Sequence, residues 1–329
     1  MKKLFIGIDI SKDVFDFFGI SEEGDVVISA GISNNDSAGI KHFIKTIKAY
    51  RSYEVHVCME HTGHYGFQLT TEFALASVNF SLINPLEIKR FSGLLRGKTD
   101  AVDAYRIAKY ALANKHDLKQ YLLPIKEIQQ LKALMGLRDG YLKISVQLKN
   151  SLKAFEIIAT TLPLKKQLKQ HQKLIVAQEK TIADIEKQMK EIIENNEDLD
   201  NSYKKITSVI GVGPLTGIKC IVETDNFTRF DNARKFACHC GLAPFEYQSG
   251  SSIRKRTRTS PISNKGLKAI LFKAASSAIQ HDPQLKTYYK RKIEAGKHKL
   301  SVLNAVANKI VLRIFTVVKR TELFVKLVA

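Results

Sequence analysis

The hydrophobic and polar positions in the first part of the chain predict short strands and helices in a definite order. Three runs of β-branched and aromatic residues, separated by the turn sequences SK and EEGD, predict strands over residues 3–10, 13–20 and 24–32. Helices and strands then alternate: a helix from Ser37 to about Tyr50, a strand over Glu54–Glu60, a helix after HTGHYG, a strand over Asn79–Asn84, a short helix from Pro85 and a helix from Asp100. This order predicts an α/β domain with a mixed sheet covered by helices.

Three antiparallel strands followed by two βα units is the order of the ribonuclease H fold. In that fold the first strand is central and the fourth lies beside it, so Asp9 on the first strand and Glu60 at the end of the fourth are expected to be adjacent. A last helix that crosses this edge brings Asp100 and Asp103 to the same point. An acidic side chain inside the apolar strand LFIGIDI is costly unless it has a partner or a cation. Oxygen-only ligands suit Mg²⁺ or Mn²⁺, so the sequence predicts a divalent-cation site at these four carboxylates.

The sequence RGKTDAVDAYRIAKYA also has a simpler interpretation. Thr99 or Asp100 can act as the N-cap of a helix, and acidic residues in a first turn are favoured by the helix dipole. Residues three positions apart are neighbours on a helix, however, so Asp100 and Asp103 repel each other. Convergence with Asp9 and Glu60 favours a cation site over simple capping.

Residues 121–203 are dominated by Lys, Glu, Gln, Leu and Ile. Apolar residues at spacings of three and four, such as Ile182, Ile185 and Met189, predict a long helical hairpin or coiled coil, which Pro163 divides. This segment is a spacer or a dimerisation arm, and the sequence leaves both open. It separates a domain over residues 1–120 from a mainly helical domain over residues 204–329.

The last domain opens with ITSVIGVGPLTGIKCIVE, which predicts two helices joined by a Gly-x-Gly-Pro turn. This pattern resembles a helix-hairpin-helix, whose turn amides can meet a phosphate, but a tight turn between two helices explains the glycines almost as well.

The positive charge of the chain is concentrated in this last part. The net charge is +20, yet residues 1–100 hold 11 Lys and Arg against 12 Asp and Glu, whereas residues 251–300 hold 13 against 2. This asymmetry indicates a polyanion-binding surface, most commonly for nucleic acid, although a well-solvated basic face gives the same count. The candidate nucleic-acid-binding residues are Arg254, Lys255, Arg256, Arg258, Lys265 and Lys268.

Three serines precede this basic run in a predicted loop, at Ser249, Ser251 and Ser252. Serines in basic loops usually contact phosphate and do no more. Alternatively, one hydroxyl is a nucleophile toward a phosphodiester, with the arginines holding the phosphate. The pattern alone does not choose between these interpretations.

Other features bear on where the protein acts. The N-terminal sequence has too few apolar residues before Asp9 for a signal peptide. The apolar segment SVLNAVANKIVLRIFTVVKR is interrupted by Lys309 and Arg313, which predicts a core helix rather than a membrane span. The four cysteines show neither disulfide nor zinc spacing and are expected to be buried thiols. We therefore expect a cytoplasmic protein with no membrane partner, associated with the nucleoid when it binds DNA.

Several motifs together carry a resemblance over essentially the whole chain. GIDISKDVFD, MEHTGHYG, INPLEIKRF, GKTDAVDAYRIA, GVGPLTG, GLAPFEYQSGSS and NKGLKAIL occur in the order found in the DEDD transposases of insertion-sequence family 110. That family joins a RuvC-like domain of ribonuclease H fold to a C-terminal transposase domain. The family's four acidic residues match Asp9, Glu60, Asp100 and Asp103, and its catalytic serine matches Ser249, which follows EYQ.

The resemblance implies an enzyme that excises and inserts double-stranded DNA and is guided by a structured RNA from its element. Ser249 is then expected to form a covalent phosphoserine, with Mg²⁺ held by the acidic quartet at a composite site. It also implies a homo-oligomer, a dimer that assembles into a tetramer.

Proteins of other classes share some of these features. A Holliday-junction-resolving or related nuclease uses the same four carboxylates with water as nucleophile, which leaves the serine loop as a phosphate contact. An actin-like ATPase can begin with GIDIS, but its later phosphate loop is not found in this sequence. A non-enzymatic nucleic-acid scaffold would make the carboxylates structural.

Overall fold

The computed structural model describes residues 1–61, 63–93, 99–249 and 253–325. The chain forms two compact units, Met1–Leu123 and Pro124–Ala329. Near the gap at 250–252 the structure gives the backbone but not the side chains of Tyr247, Ser249 and residues 253–256. The division into residues 1–120, 121–203 and 204–329 stays a prediction. The helices of the predicted middle segment lie within the second unit.

The first unit contains five strands and four helices within its described residues. The strands are β1 (Lys2–Ile10), β2 (Val14–Ser21), β3 (Val26–Asn34), β4 (Tyr53–Glu60) and β5 (Phe80–Ile83). The helices are α1 (Ser37–Lys48), α2 (Phe67–Leu75), α3 (Pro85–Phe91) and α4 (Asp100–Ala113).

These strands form one mixed sheet in the order β3-β2-β1-β4-β5. β2 runs antiparallel to both β1 and β3, whereas β4 runs parallel to β1 and β5 parallel to β4. β1 is therefore central, with its apolar residues from Leu4 to Ile8 fully or almost fully buried. The predicted ribonuclease H fold of RuvC type is confirmed by this order and direction of strands.

The contact between α4 and β1 depends on a glycine. A Cβ atom on Gly7 would lie 2.2 Å from the carbonyl oxygen of Ala104 and 2.3 Å from the amide nitrogen of Ala108. The backbone of α4 therefore lies directly on the central strand, where any larger residue would hold it away. The small, fully buried side chains of Ala104 and Ala108 complete this close packing.

The opposite face of the sheet is covered by α1 and α2 through an aromatic cluster. The ring of Phe43 packs edge-on against Phe15 and stacks with Phe73, which packs in turn against Phe80. All four rings are almost fully buried. Such pairs stabilise a core by about 0.5–1.5 kcal/mol each beyond the burial of their area, so this face of the sheet is firmly held.

The second unit is mainly helical, as the sequence predicts. The helices within its described residues are α5 (Lys126–Ile158), α6 (Lys165–Glu194), α7 (Glu197–Ser208), α8 (Pro214–Thr224), α9 (Ala233–His239), α10 (Lys265–His281), α11 (Pro283–Glu294) and α12 (Lys299–Val318).

The α5–α6 hairpin is not a separate body. Ile128, Leu131 and Met135 of α5 and Met189 and Ile193 of α6 are buried in the same hydrophobic core as α7 to α12. The base of the hairpin is thus part of the C-terminal core.

α12 lies inside this core. In length and composition it is the one described helix that is apolar enough to cross a membrane. Val306, Ala307, Ile310, Val311 and Ile314 are nevertheless fully buried against neighbouring helices. This packing agrees with the core helix that Lys309 and Arg313 predict.

The glycine turn between α7 and α8 is packed against α10. Gly211 has a φ of +92°, and a Cβ atom there would lie 2.6 Å from the carbonyl oxygen of Ala274. Both a left-handed backbone and a close approach therefore require glycine at this position, and they account for it without a phosphate.

The predicted serine loop differs from the structure. Ser249 ends a strand, β6 (Pro244–Ser249), and the basic residues that follow lie on a second strand, β7 (Ile253–Thr259). The two strands pair antiparallel, with Ser249 opposite Ile253 and Phe245 opposite Arg258. The alternation test for strands misses this hairpin because almost every residue from 254 to 259 is polar.

We predict that Gly7→Ala destabilises the first unit by about 3 kcal/mol or more, since the added methyl group would overlap backbone atoms that cannot rotate away. Urea unfolding followed by circular dichroism measures this effect. Gly136→Ala is the control, because nothing lies within 4 Å of a Cβ atom at that helical position. Equal stability of the two variants would contradict the close packing of α4 on β1.

Candidate active site

Two of the four predicted acidic residues, Asp9 and Glu60, lie on the face of the sheet that α4 covers. Asp9 is two residues beyond Gly7 on β1, and alternate residues of a strand share a face. Glu60 is two residues beyond Cys58 on β4, and Cys58 is buried in a cluster with Ile107 and Ala111 of α4. The register pairs Ile8 with Met59, so Asp9 and Glu60 are the next residues along two adjacent parallel strands.

The start of α4 supplies the other two carboxylates. Thr99 is the N-cap, and its side-chain oxygen accepts a hydrogen bond from the amide of Val102 at 3.4 Å. Asp100 and Asp103 both lie in the first helical turn. The capping interpretation of this sequence is therefore correct for Thr99, and it coexists with the approach of both aspartates to Asp9.

The pKa of Asp9 reflects the proximity of the other acidic residues. Burial, together with the negative charges of Asp103, Asp100, Glu60 and Asp16, raises the pKa of Asp9 to about 6. A carboxyl group shifts in this direction when its neighbours repel its charged form. The structure thus brings the four predicted acids into one electrostatic cluster.

The cluster is not closed around a single point. Asp103 Oδ1 accepts a hydrogen bond of 2.6 Å from the guanidinium of Arg106, one turn along α4. In the part of the chain that the structure describes, no three His, Cys, Asp or Glu side chains are arranged as a ready metal site. The carboxylates still fit a divalent cation by donor type, because hard cations bind oxygen and would relieve the repulsion felt by Asp9.

A fifth carboxylate, Asp16 on β2, was not among the predicted residues. It pairs directly with Asp9 across the antiparallel strands and is only 7% exposed. Burial raises the pKa of Asp16, and the charge of Asp100 raises it as well. The available signal was a lone acidic residue within the apolar strand VFDFF.

The other predicted residues lie in the second unit. Ser249 and residues Arg254 to Arg258 are on the β6–β7 hairpin, where the side chain of Arg258 is exposed. The side chains of Ser249, Arg254, Lys255 and Arg256 lie outside the described structure, as do Ser251 and Ser252 entirely. Their assignment as nucleophile and phosphate contacts therefore stays a prediction.

Lys265 and Lys268 begin α10, directly after this hairpin. Lys265 is exposed, and Lys268 donates a 3.3 Å hydrogen bond to the hydroxyl of Thr259 while its ammonium lies 5.6 Å from the centre of the Phe272 ring. The strand and the helix thus present their cations from one continuous segment.

A polar network missed by sequence reasoning fixes this segment to the helical core. Glu223 of α8 contacts the ring nitrogen of His239 at 3.1 Å and accepts a 2.9 Å hydrogen bond from the side chain of Asn264. Asn264 also caps α10 through Leu267. Burial alone would raise the pKa of Glu223, but His239, Asn264 and the charge of Lys219 hold it below its usual value.

The cysteines take no part in either site. All four are free thiols, and Cys58, Cys220 and Cys240 are buried. Burial raises the pKa of Cys58 and of Cys220 to about 12, so neither forms a reactive thiolate near neutral pH.

Comparison with protein families identifies the chain. Residues 6–155 match the DEDD transposase model of IS110 type, described as a transposase, and residues 203–290 match the transposase model of the IS116/IS110/IS902 family. The chain belongs to the IS110 family of transposases. The acidic cluster falls within the first match, and the β6–β7 hairpin falls within the second.

Relatives of this IS110-family chain include a gene-inverting protein and a transposase. The pilin gene-inverting protein of Moraxella bovis is 25% identical over 332 residues and covers 99% of both chains. The transposase for insertion sequence element IS1111A of Coxiella burnetii is 24% identical over 306 residues, which is 84% of this chain and 78% of that protein.

Two solved structures of RuvC from Thermus thermophilus are also similar. The one in complex with a Holliday junction substrate has a TM-score of 0.29 and 10% identity, and it covers 36% of this chain and 99% of that chain. A second RuvC structure gives a TM-score of 0.28 and 13% identity over the same shares.

We predict that Asp9→Asn stabilises the metal-free protein at pH 7.5. Because the pKa of Asp9 is raised to about 6 in the folded protein, the folded state binds more protons than the unfolded state between about pH 4 and 6. Wild-type stability therefore falls as the pH rises through this window and stays lower above it. The variant lacks this loss and is expected to gain about 1–2 kcal/mol at pH 7.5, after allowance for solvent screening.

Urea unfolding in EDTA between pH 4.5 and 8 measures this difference. Asp13→Asn, at an exposed position in the turn between β1 and β2, is the matched control and should follow the wild-type profile. A wild-type profile parallel to that of Asp9→Asn would show that the carboxylates do not interact as described.

Proposed function

We propose that this transposase excises and inserts double-stranded DNA of its own insertion sequence through a serine–DNA covalent intermediate. Asp9, Glu60, Asp100 and Asp103 hold Mg²⁺, for which Mn²⁺ can substitute, and Ser249 is the nucleophile. The observation that carries the proposal is the carboxylate cluster around Asp9, where α4 crosses the central strand. Like charges brought together around a partly buried carboxylate cost folding stability, which is the pattern expected of a site built for function.

The carboxylates give this site its chemical character. When bound, a divalent cation supplies a Lewis acid that polarises the scissile phosphate and lowers the repulsion between the phosphate and the acidic side chains. Asp9 and Glu60 are fixed by adjacent strands, so their positions vary little. Asp100 and Asp103 lie in one turn of α4, and the contact of Asp103 with Arg106 holds that side chain in a set orientation.

With Ser249 as nucleophile, DNA ends can be exchanged and rejoined without an external energy source such as ATP. Its hydroxyl oxygen forms a bond to phosphorus as one bridging P–O bond of the backbone breaks. The serine proton passes to water or to a carboxylate, and the freed sugar oxygen takes up a proton. The phosphoserine ester retains the energy of the broken bond, so a second sugar hydroxyl can reverse the reaction and reseal the strand.

The basic second unit fits nucleic-acid partners. Arg254, Lys255, Arg256, Arg258, Lys265 and Lys268 follow the nucleophile along the chain and are proposed to hold phosphates of the DNA and of a structured guide RNA from the element. Guanidinium groups bind phosphate in bidentate fashion, which suits a site that must fix an attacked phosphodiester. The protein is accordingly proposed to act in the cytoplasm at the nucleoid.

The outer part of the α5–α6 hairpin supports self-association. Its exposed apolar residues are Leu137, Ile144, Val146, Phe155, Ile157, Ile158, Leu174 and Val176. Exposed apolar surface of this kind is proposed as the protein-binding surface, because contiguous apolar patches mark interaction sites. Because strand exchange between two duplexes requires several active sites, we propose that protomers dimerise here and that dimers pair into a tetramer.

The central prediction concerns a protein–DNA adduct that survives denaturation. The wild-type protein, incubated with Mg²⁺, flanking RNA of its element and labelled donor and target DNA, should form this adduct. Ser249→Ala should reduce the adduct and the recombinant product below detection, because the attacking oxygen is removed. Asp100→Ala should lower both by about 10²-fold or more, because a cation ligand is lost.

Ser251→Ala and Ser252→Ala are the matched controls and should retain the adduct. Cleavage that persists in Ser249→Ala without any adduct, but is lost in Asp100→Ala, would mean a metal-dependent nuclease of the junction-resolving type that uses water. If Ser249→Ala retains the adduct and Ser251→Ala or Ser252→Ala loses it, the serine whose loss abolishes the adduct is the nucleophile.

A second candidate function is inversion of a fixed DNA segment. The observation that favours it is the end-to-end match, 99% of both chains, with the pilin gene-inverting proteins of Moraxella bovis and Moraxella lacunata. Inversion and insertion require the same cleavage and resealing, and they differ in how the two recombining sites are joined.

Two reporter plasmids distinguish these functions. One carries the element's ends as inverted repeats around a promoter, and the other carries the element as donor beside a target plasmid. We expect insertion to exceed inversion by at least about tenfold, and Ser249→Ala to abolish both, since both require the nucleophile. Efficient inversion with no insertion would replace transposition as the function.

A further inference from the structure

Asp16 is a buried acid for which the described residues provide no partner. Its exposed fraction is 7%, and it makes no hydrogen bond or ion pair within the described part of the chain. Two other carboxylates with little exposure are paired: Asp282 contacts Arg313 and caps α11, and Glu223 contacts His239 and Asn264. An acid with so little exposure and no partner carries a cost in folding free energy, although a smaller one than a fully desolvated carboxylate.

The sheet register gives the direction of this side chain. Asp16 pairs with Asp9, and Phe18, two residues further on β2, pairs with Gly7. Phe18 packs edge-on against Tyr105 of α4, with ring centres 4.9 Å apart. Because alternate residues of a strand share a face, Asp16 lies on the face that α4 covers, together with Asp9.

This placement puts Asp16 inside the proposed cation site. Residues directly opposite on antiparallel strands have Cβ atoms about 4.5–5.5 Å apart. Asp16 also interacts electrostatically with Asp100, in the first turn of α4 above it. Asp16 is therefore next to one predicted ligand on the sheet and within range of another on the helix.

A purely structural role does not explain the residue. A structural acid on this face would be expected to cap a helix, bridge a turn or neutralise a lysine or arginine, and Asp16 does none of these within the described residues. Asp16 lies between two phenylalanines in β2, and valine or threonine would pack equally well at this strand position. A cation bound beside Asp9 would account for its position.

We propose that Asp16 is a fifth carboxylate of the divalent-cation site and contributes directly to the affinity for the ion. The inference rests on the proposed function, since it assumes that Asp9 and its neighbours bind the cation. Asp16 supplies negative charge from the β2 side of Asp9, opposite the β4 side on which Glu60 lies. The cation is then enclosed by acids from β1, β2, β4 and α4.

The test measures binding of Mn²⁺ to the full chain without DNA or RNA. Titration at pH 7.5, with free Mn²⁺ followed by electron paramagnetic resonance, gives the affinity of the wild type, Asp16→Asn, Asp9→Asn and Asp13→Asn. We expect Asp16→Asn to weaken binding by at least about tenfold. Asp13→Asn should leave it within about twofold, because it removes a charge of the same sign from the exposed turn nearby.

Thermal unfolding in EDTA provides the fold control. Asp16→Asn keeps the shape of the side chain and removes an unpaired buried charge, so it should melt at or above the wild-type temperature. Mn²⁺ should raise the melting temperature less in this variant than in the wild type. If Asp16→Asn does not fold, Asp16→Ser is carried through the same measurements.

The outcomes separate this inference from the proposed function. Mn²⁺ affinity that falls in Asp9→Asn but is unchanged in folded Asp16→Asn overturns the role of Asp16 and leaves the four-acid site intact. Equal loss of Mn²⁺ affinity in Asp16→Asn and Asp13→Asn overturns it too, because the loss would then come from the lower net negative charge and not from a contact with the ion. Failure of the wild type to bind Mn²⁺ overturns both the inference and the metal site on which it rests.

Discussion

The close approach of α4 to the central strand at Gly7 is the constraint on which the first unit and its site depend. With only hydrogen at this position, the backbone of α4 rests on β1 at Ala104 and Ala108. The first turn of the helix, and with it Asp100, is thereby carried over the end of the strand that bears Asp9. A larger residue at the contact would lift the helix and separate acids that belong to different elements. The geometry of the site therefore follows from a residue that has no side chain.

The fold holds this site together against its own charges. Asp9 and Asp16 face the same helix from adjacent strands, and their mutual repulsion opposes folding in the absence of a cation. The stability that compensates comes from elsewhere, chiefly from the aromatic cluster on the other face of the sheet around Phe43 and Phe73. One face of the sheet thus provides cohesion while the other tolerates electrostatic cost, a division found where activity and stability compete.

Sequence reasoning succeeded where a pattern is local. The order of strands and helices could be read from periodicity, and the approach of Glu60, Asp100 and Asp103 to Asp9 follows from that order; their role as a cation site stays a prediction. Asp16 has the same local signal in VFDFF, but its place opposite Asp9 follows only from the register of β1 and β2. The Glu223–His239–Asn264 network joins residues up to 41 positions apart and has no spacing signature. The β6–β7 hairpin was missed because strand patterns rely on apolar alternation, which its basic residues lack.

Because α5 and α6 share a core with the C-terminal helices, the hairpin that they form is a spacer of fixed length. A straight helix of 30 residues, the length of α6, extends about 45 Å. That length corresponds to about 13 base pairs of B-form DNA. Since the base of the hairpin is embedded in the core, its tip cannot swing freely relative to the strands that carry Ser249. In the proposed dimer, a partner bound at the tip would therefore stand at a distance from these strands that the length of the hairpin sets.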